Sequence, residues 1–251
     1  MNIVEQVWAW LTNPENWQKN FRDPGIPTRI VEHLSYTGLA LLFAIVIAVP
    51  IGLYIGHTGR GGFLVVGIAN SFRALPELGL VILLVLVMGV ALALQAVTIA
   101  LVALAIPPLL AGTYAGIRNV DSDVVDAARG MGMRERDIVW KVELPIALPL
   151  MLGGLRAATL QVIATVSIAA YVSLGGLGRY VIDGRAFGGV EGYAIMAGGA
   201  VLIAALAITV ELVLAGVQRL VVSPGLRTST VSRRVTRVRI RPVEEPEVAT
   251  S

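Results

Sequence analysis

Between positions 126 and 145 the chain reads DAARGMGMRERDIVWKVELP, a charged, glycine-punctuated stretch between long apolar runs. These residue types suit docking to another protein rather than bond making. Asp121 or Ser122 is placed to cap a helix that includes Ala127 and Ala128. Asp126, in its early turns, complements the positive end of the helix dipole. The alanines leave a narrow surface for close approach. Gly130 and Gly132 each cost a helix about 1 kcal/mol relative to alanine. That cost makes sense if Gly132 takes a left-handed turn, or allows close approach, where the helix ends. Met131 and Met133 offer deformable apolar contacts, and Arg134, Glu135, Arg136 and Asp137 form a charged rim. Val142, Leu144 and Pro145 lead back into apolar sequence, with Pro145 near a helix start, where its missing N–H costs little.

Bond-making chemistry finds little support elsewhere. The chain has no cysteine, which excludes disulfides, thiolate metal sites and cysteine nucleophiles. Its two histidines, His33 and His57, are far apart in sequence and read as ordinary polar residues near span ends. No phosphate-binding Gly-x-x-x-x-Gly-Lys-Ser/Thr loop is present, so ATP cannot be hydrolysed here. Neither paired carboxylates nor a nucleophile constellation suggests an enzyme, no cofactor or metal is expected on this chain, and no nucleic-acid partner is implied.

The elements that carry the loop are membrane helices. Of 251 residues, 56% are hydrophobic and 15% charged, with mean hydropathy +0.77. A soluble domain carries about 25% charged residues. A helix needs about 20 apolar residues to cross the bilayer core. Residues 36–55, 75–90, 93–115, 146–171 and 194–217 meet or approach that length. The expected fold is thus an all-α integral membrane protein of about five spans. The apolar run 63–70 is read as an interfacial lead-in to the second span, with six spans as the alternative. No cleavable signal peptide is expected, because Glu5, Glu15 and Asp23 interrupt the first thirty residues.

Positive charge sets the expected orientation. Arg118, Arg129, Arg134, Arg136 and Lys141 lie in one loop, and Arg219, Arg227, Arg233 and Arg234 begin a basic C-terminal stretch. Both regions are therefore expected in the cytoplasm and the N-terminus outside. Three parts follow: an interfacial segment 1–34, a transmembrane domain 35–221 with the polar loop at 117–145, and a basic tail 222–251 without apolar periodicity. In the first part, Ile3, Val7, Trp8, Trp10 and Leu11 sit at helical spacing, as in a surface helix on lipid or a docking element.

Few polar side chains are available to line a path. Arg73 and Glu77 are four apart and share a helix face, where they form either a gate or an anchor at the cytoplasmic interface. Gln161 and Thr165 share a face of the fourth span, as pore-lining groups or as polar packing between helices. Gln95 and Thr98 offer polar contacts between helices or lie near the outer boundary. Arg156 and Glu211, within spans, are expected to snorkel or pair.

The loop resembles the EAA motif of binding-protein-dependent ABC importer permeases. That motif runs E-A-A, three residues, Gly, nine residues, then I-x-L-P. Asp126, Ala127, Ala128, Gly132, Val142, Leu144 and Pro145 match in register, with Asp for Glu and Val for Ile. The resemblance covers roughly residues 35–221. YAGIRNVD (114–121), AARGMGM (127–133), ELPIALP (143–149), GGLRAAT (153–159) and GGLG (175–178) look like the branch that imports glycine betaine, choline, carnitine or proline. NSFRALP (70–76) departs from that branch, and its Arg-x-x-Pro is similar to permeases for methionine and other amino acids. The resemblance implies a type I importer permease fold. It further implies a second permease subunit (identical or similar), cytoplasmic ATP-binding subunits that use ATP and Mg, an extracytoplasmic binding protein, and a location in the inner membrane. An ion-coupled secondary transporter is the alternative from another class, although the spans lack obvious central carboxylates.

Overall fold

The structure is a computed structural model describing residues 2–18, 24–63, 65, 67, 71 and 74–223. The tail from 224 onward, Arg73, and residues 64, 66 and 68–70 lie outside that set. Among the described residues all regular structure is helical. In chain order the helices are α1 (Ile3–Thr12), α2 (Ile26–Thr58), α3 (Glu77–Met88), α4 (Ala93–Arg118), α5 (Ser122–Gly130), α6 (Glu135–Ile138), α7 (Leu144–Val166), α8 (Gly178–Phe187) and α9 (Gly189–Val221). A π turn, Val139–Glu143, joins α6 to α7, and a 3-10 segment, Ser167–Val172, follows α7.

Four helical stretches, Ile26–Thr58, Val90–Arg118, Glu135–Val172 and Gly189–Val221, are long and apolar enough to cross a membrane. α3 has 12 residues, about 18 Å of helix, short of the roughly 30 Å apolar thickness of a bilayer. Large side chains such as Leu42, Val46, Leu86 and Leu212 are exposed on the outside of the bundle. In lipid that exposure carries no hydrophobic cost, so the helices are held together by close packing and polar links.

Small residues make the close packing. A Cβ on Gly52 of α2 would lie 2.7 Å from the Cβ of Thr113 on α4, and one on Gly56 would lie 2.7 Å from the Cβ of Ile117. Both contacts advance together along the sequence, so α2 and α4 run parallel. On the other side of α4, Gly112 meets Gly154 and Gly116 meets Ala147, so α7 runs antiparallel to it. α9 is antiparallel to α7 in turn, because Arg156 pairs with Glu211 while Gln218 donates to the Pro149 carbonyl at 3.2 Å.

Parallel α2 and α4 require the chain between them to recross the bundle, and α3 alone is too short to do so. Val65 is accordingly buried with Ala40, Ala44, Ala48 and Val81 in the main core. Most of the stretch 63–70 expected as an interfacial lead-in lies outside the described residues; Val65 within it is buried.

At the N-terminus, Asn2 accepts the Glu5 N–H at 2.9 Å while the Glu5 carboxylate takes the Asn2 N–H at 3.2 Å, a reciprocal cap. α1 does more than lie on lipid. Trp10 packs edge-on against Tyr180, with ring centroids 5.0 Å apart, and faces Gly198 of α9. Trp8 and Val4 stay exposed.

Arg156 and Glu211 resolve the choice between snorkelling and pairing. They form an ion pair, and Arg156 also donates to the Gln218 side chain at 2.7 Å. Removing one partner leaves the other charge uncompensated, whereas removing both does not. Arg156→Met is expected to cost about 1–3 kcal/mol, the side chains being partly exposed. Arg156→Met combined with Glu211→Leu should cost less. Thermal unfolding of the purified protein in detergent checks the order, and a double variant less stable than the single one would contradict it.

Candidate coupling loop and transport path

α5 begins where the Asp121 side chain accepts the Asp123 N–H at 2.9 Å. It ends with three backbone bonds: Met131 N–H to Ala127 O (3.0 Å), Gly132 N–H to Arg129 O (2.9 Å) and Met133 N–H to Ala128 O (3.2 Å). Gly132 has φ +83°. The last two bonds around a left-handed residue constitute a Schellman cap, in which the helix's final carbonyls are satisfied as the chain reverses. The cap leaves a short, blunt helix end projecting from the bundle.

The loop residues divide by direction. Asp126, Ala127, Gly130, Met131, Gly132 and Arg136 are exposed, Met131 at 77%. Ala128 is buried and seats α5 on the protein. Met133 is half-buried, so of the two methionines Met131 is the more exposed. Val142 and Leu144 are half-buried and Pro145 is exposed. The π turn falls just before Pro145, whose missing N–H leaves the Lys141 carbonyl without its usual partner.

A chain of ionic contacts fastens this loop. Arg129 bonds Asp126 at 3.0 Å and Glu135 at 2.8 and 3.1 Å. The hydrogen-bonded Glu135 carboxylate, chiefly, pushes the Arg129 guanidinium above its ordinary value. Glu135 then meets His57 Nε2 at 3.1 Å, and His57 Nδ1 meets Glu143 at 2.8 Å. Glu143 is buried at 4% exposure. Lys141 pairs separately with Asp137 at 2.7 Å.

The other histidine holds the opposite end of the bundle. His33 is fully buried, with Nδ1 accepting the Leu177 N–H at 3.3 Å and Nε2 facing the Ile163 carbonyl at 2.9 Å. Those partners require the neutral ring with its proton on Nε2. Beside it, Glu32 accepts the Gly176 N–H at 2.7 Å, where Gly176 turns through φ +89°. Both histidines do lie near the ends of α2, as expected, and each also ties α2 to other elements. Their partners are 86, 130 and 144 residues away, so no local spacing signals them.

Two of the candidate path residues come together. Thr165 Oγ1 donates to Glu77 Oε2 at 2.8 Å, with the Gln161 carbonyl as a second acceptor at 2.9 Å. Thr165 lies one helical half-turn beyond Ile163, the His33 partner. Glu77 thus lies within the bundle beside the later part of α7, away from the loop, with the rest of α3 running on from it. Arg73, its suggested partner, lies outside the described residues. Gln161 is half-buried on α7. Gln95 and Thr98 line an apolar groove between α2 and α4. Among the described residues no cluster of metal-ligating side chains occurs.

A bundle of apolar helices carrying one polar, helix-built loop at one end is the construction of a multi-pass membrane permease. The chain belongs to the family of binding-protein-dependent transport system inner membrane components, whose model matches residues 48–227. It is 33% identical over 187 residues to the carnitine transport permease protein OpuCD of Listeria monocytogenes, covering 74% of this chain and 82% of that one. It is 33% identical over 196 residues to the glycine betaine/carnitine/choline transport system permease protein OpuCB of Bacillus subtilis, covering 78% and 88% respectively. Among solved structures, a chain of the inward facing MetNI methionine ABC transporter superposes with TM-score 0.69 at 23% identity, covering 84% of this chain and all of that one. The fold is that of a type I importer permease. The chain is a transport subunit of an ABC importer, with ATP hydrolysis in a separate subunit.

Proposed function

We propose that this permease moves a quaternary-ammonium osmoprotectant (glycine betaine, choline or carnitine) or proline across the membrane after delivery by an extracytoplasmic binding protein. Support for the substrate class comes from relatives whose names specify carnitine, choline and glycine betaine. The observation that carries the mechanism is the Schellman-capped α5, which offers Met131, Ala127 and Asp126 to a partner at one end of the bundle. Two ATP-binding subunits dock there, one on each permease of a homodimer or a pair with a similar subunit. ATP and Mg bind to those subunits alone. Their closure pulls the two permeases between inward- and outward-open forms. The loop and the α9 end lie in the cytoplasm, and α1 at the other end lies outside. Specific recognition belongs to the binding protein, in keeping with a chain only 6% aromatic, which provides few faces for cation–π contact.

Vesicles containing the permease, its ATPase subunits and binding protein test this reading. Labelled carnitine or choline is expected to accumulate only with ATP, and excess glycine betaine should reduce uptake by about tenfold or more if it competes for one site. Methionine competing instead would overturn the substrate class in favour of an amino-acid permease. Ion-driven uptake without ATP would overturn the importer mechanism itself.

A further inference from the structure

We propose that His57 is the positioning residue through which movement of the docking loop reaches α2. The proposal rests on the reading of that loop as the ATPase docking element. α6 passes continuously through the π turn into α7, so α7 follows the loop through the backbone. The covalent route from α5 to α2 runs back through α4 and α3, and α4 meets α2 by apolar packing, as at Gly56 and Ile117. A direct polar route is the ionic one, from Arg129 to Glu135 to His57, which stands in the last turn of α2.

The ring is well placed for this role. Its side chain is 14% exposed and sits between Glu135 of α6 and Glu143 of the π turn, one carboxylate to each nitrogen. With one nitrogen against each carboxylate, the ring links two acidic groups on either side of one helix end. The two contacts differ in kind. Glu143 is 5% exposed in its side chain, whereas Glu135 is 56% exposed and belongs to the loop. A pull on α5 is passed by Arg129 to the outer contact, and the inner contact keeps α2 in register with the entry of α7. At the far end His33 already binds α2 to α7 and to the Leu177 turn. Displacement at the loop therefore tilts α2 about a fixed point instead of sliding it along α7.

The test compares wild type, His57→Gln, Glu135→Gln, the double variant and His57→Arg, each assembled with ATPase subunits and binding protein in vesicles. ATPase subunits are expected to co-purify with His57→Gln and His57→Arg as with wild type. Substrate moved per ATP hydrolysed should fall about fivefold or more in both single variants, the low end of usual coupling energies. The double variant should be no worse than either single one, as for two residues in one link. His57→Arg, which offers donors to both carboxylates, should recover at least half of the coupling, a rescue that a purely structural role would not give. Unchanged transport per ATP in His57→Gln, or additive losses in the double variant, would overturn the proposal. Should His57→Gln fail to fold, Glu135→Gln at its more exposed position makes the same comparison. Wild type that retains no ATPase would defeat the docking reading beneath it, an outcome distinct from intact assembly with unaltered coupling.

Discussion

Gly132→Val is expected to weaken ATPase binding about tenfold while leaving the permease folded in the membrane. No atom lies within 4 Å of the position a Cβ would take at Gly132, so crowding plays no part. The whole effect comes from the backbone, which holds φ +83°. An L residue there costs about 1–2 kcal/mol, a β-branched one more, and 1.4 kcal/mol is a factor of ten. The chain relieves the strain by giving up the Gly132 and Met133 cap bonds, and α5 then no longer presents Met131 at a fixed angle. Asparagine tolerates the left-handed region, so Gly132→Asn should retain most of the binding. Co-purification of ATPase subunits with each variant measures the difference, and equal recovery with valine and glycine would contradict it.

Gly154→Leu should abolish the folded protein. A Cβ at this position would lie 2.7 Å from the Pro108 carbonyl oxygen and 3.0 Å from the Gly112 Cα, both backbone atoms of α4. Backbone cannot move aside as a side chain can, so α4 and α7 must separate. Overpacking ordinarily costs about 1–3 kcal/mol, and separating two helices that meet backbone to backbone exceeds the upper figure. Gly153, one residue earlier, has nothing within 4 Å of its Cβ position. Gly153→Ala is expected to be neutral, or stabilising by up to about 1 kcal/mol from helix propensity. Yield and peak shape in detergent size-exclusion chromatography should separate the two. A well-folded Gly154→Leu variant would contradict the α4–α7 packing.

What was legible in the sequence is what has a local cause. A left-handed turn at Gly132 and the cap at Asp121 each follow from a residue and its immediate neighbours, whereas Pro145, expected near a helix start, falls inside the continuous helical stretch Glu135–Val172, just after its π turn. The long spans followed from apolar length alone. The recrossing between α2 and α4 was legible only in part, because its length is divided between α3 and a stretch around Val65 that ends in polar residues. A charge beside Pro76 resembles an interface wherever it lies in depth, so Glu77 gave no sign of its place beside α7. Met131 and Met133 look alike in sequence, and only the cap geometry turns one outward. The histidine clasps left no trace, because each is defined by partners on helices far along the chain. A single buried His33 or Glu143 carries no periodicity from which to infer them.

The docking of ATP-binding subunits on α5 is tested most directly by cross-linking from a unique thiol. The chain contains no cysteine, so Met131→Cys introduces one reactive site at an exposed position of the loop, and Tyr171→Cys introduces one at the opposite end. With a short bifunctional reagent on the assembled transporter, Met131→Cys should give an adduct with the ATPase subunit and Tyr171→Cys should not. An adduct from Tyr171→Cys alone, or none from Met131→Cys in a complex that transports with ATP, would contradict it.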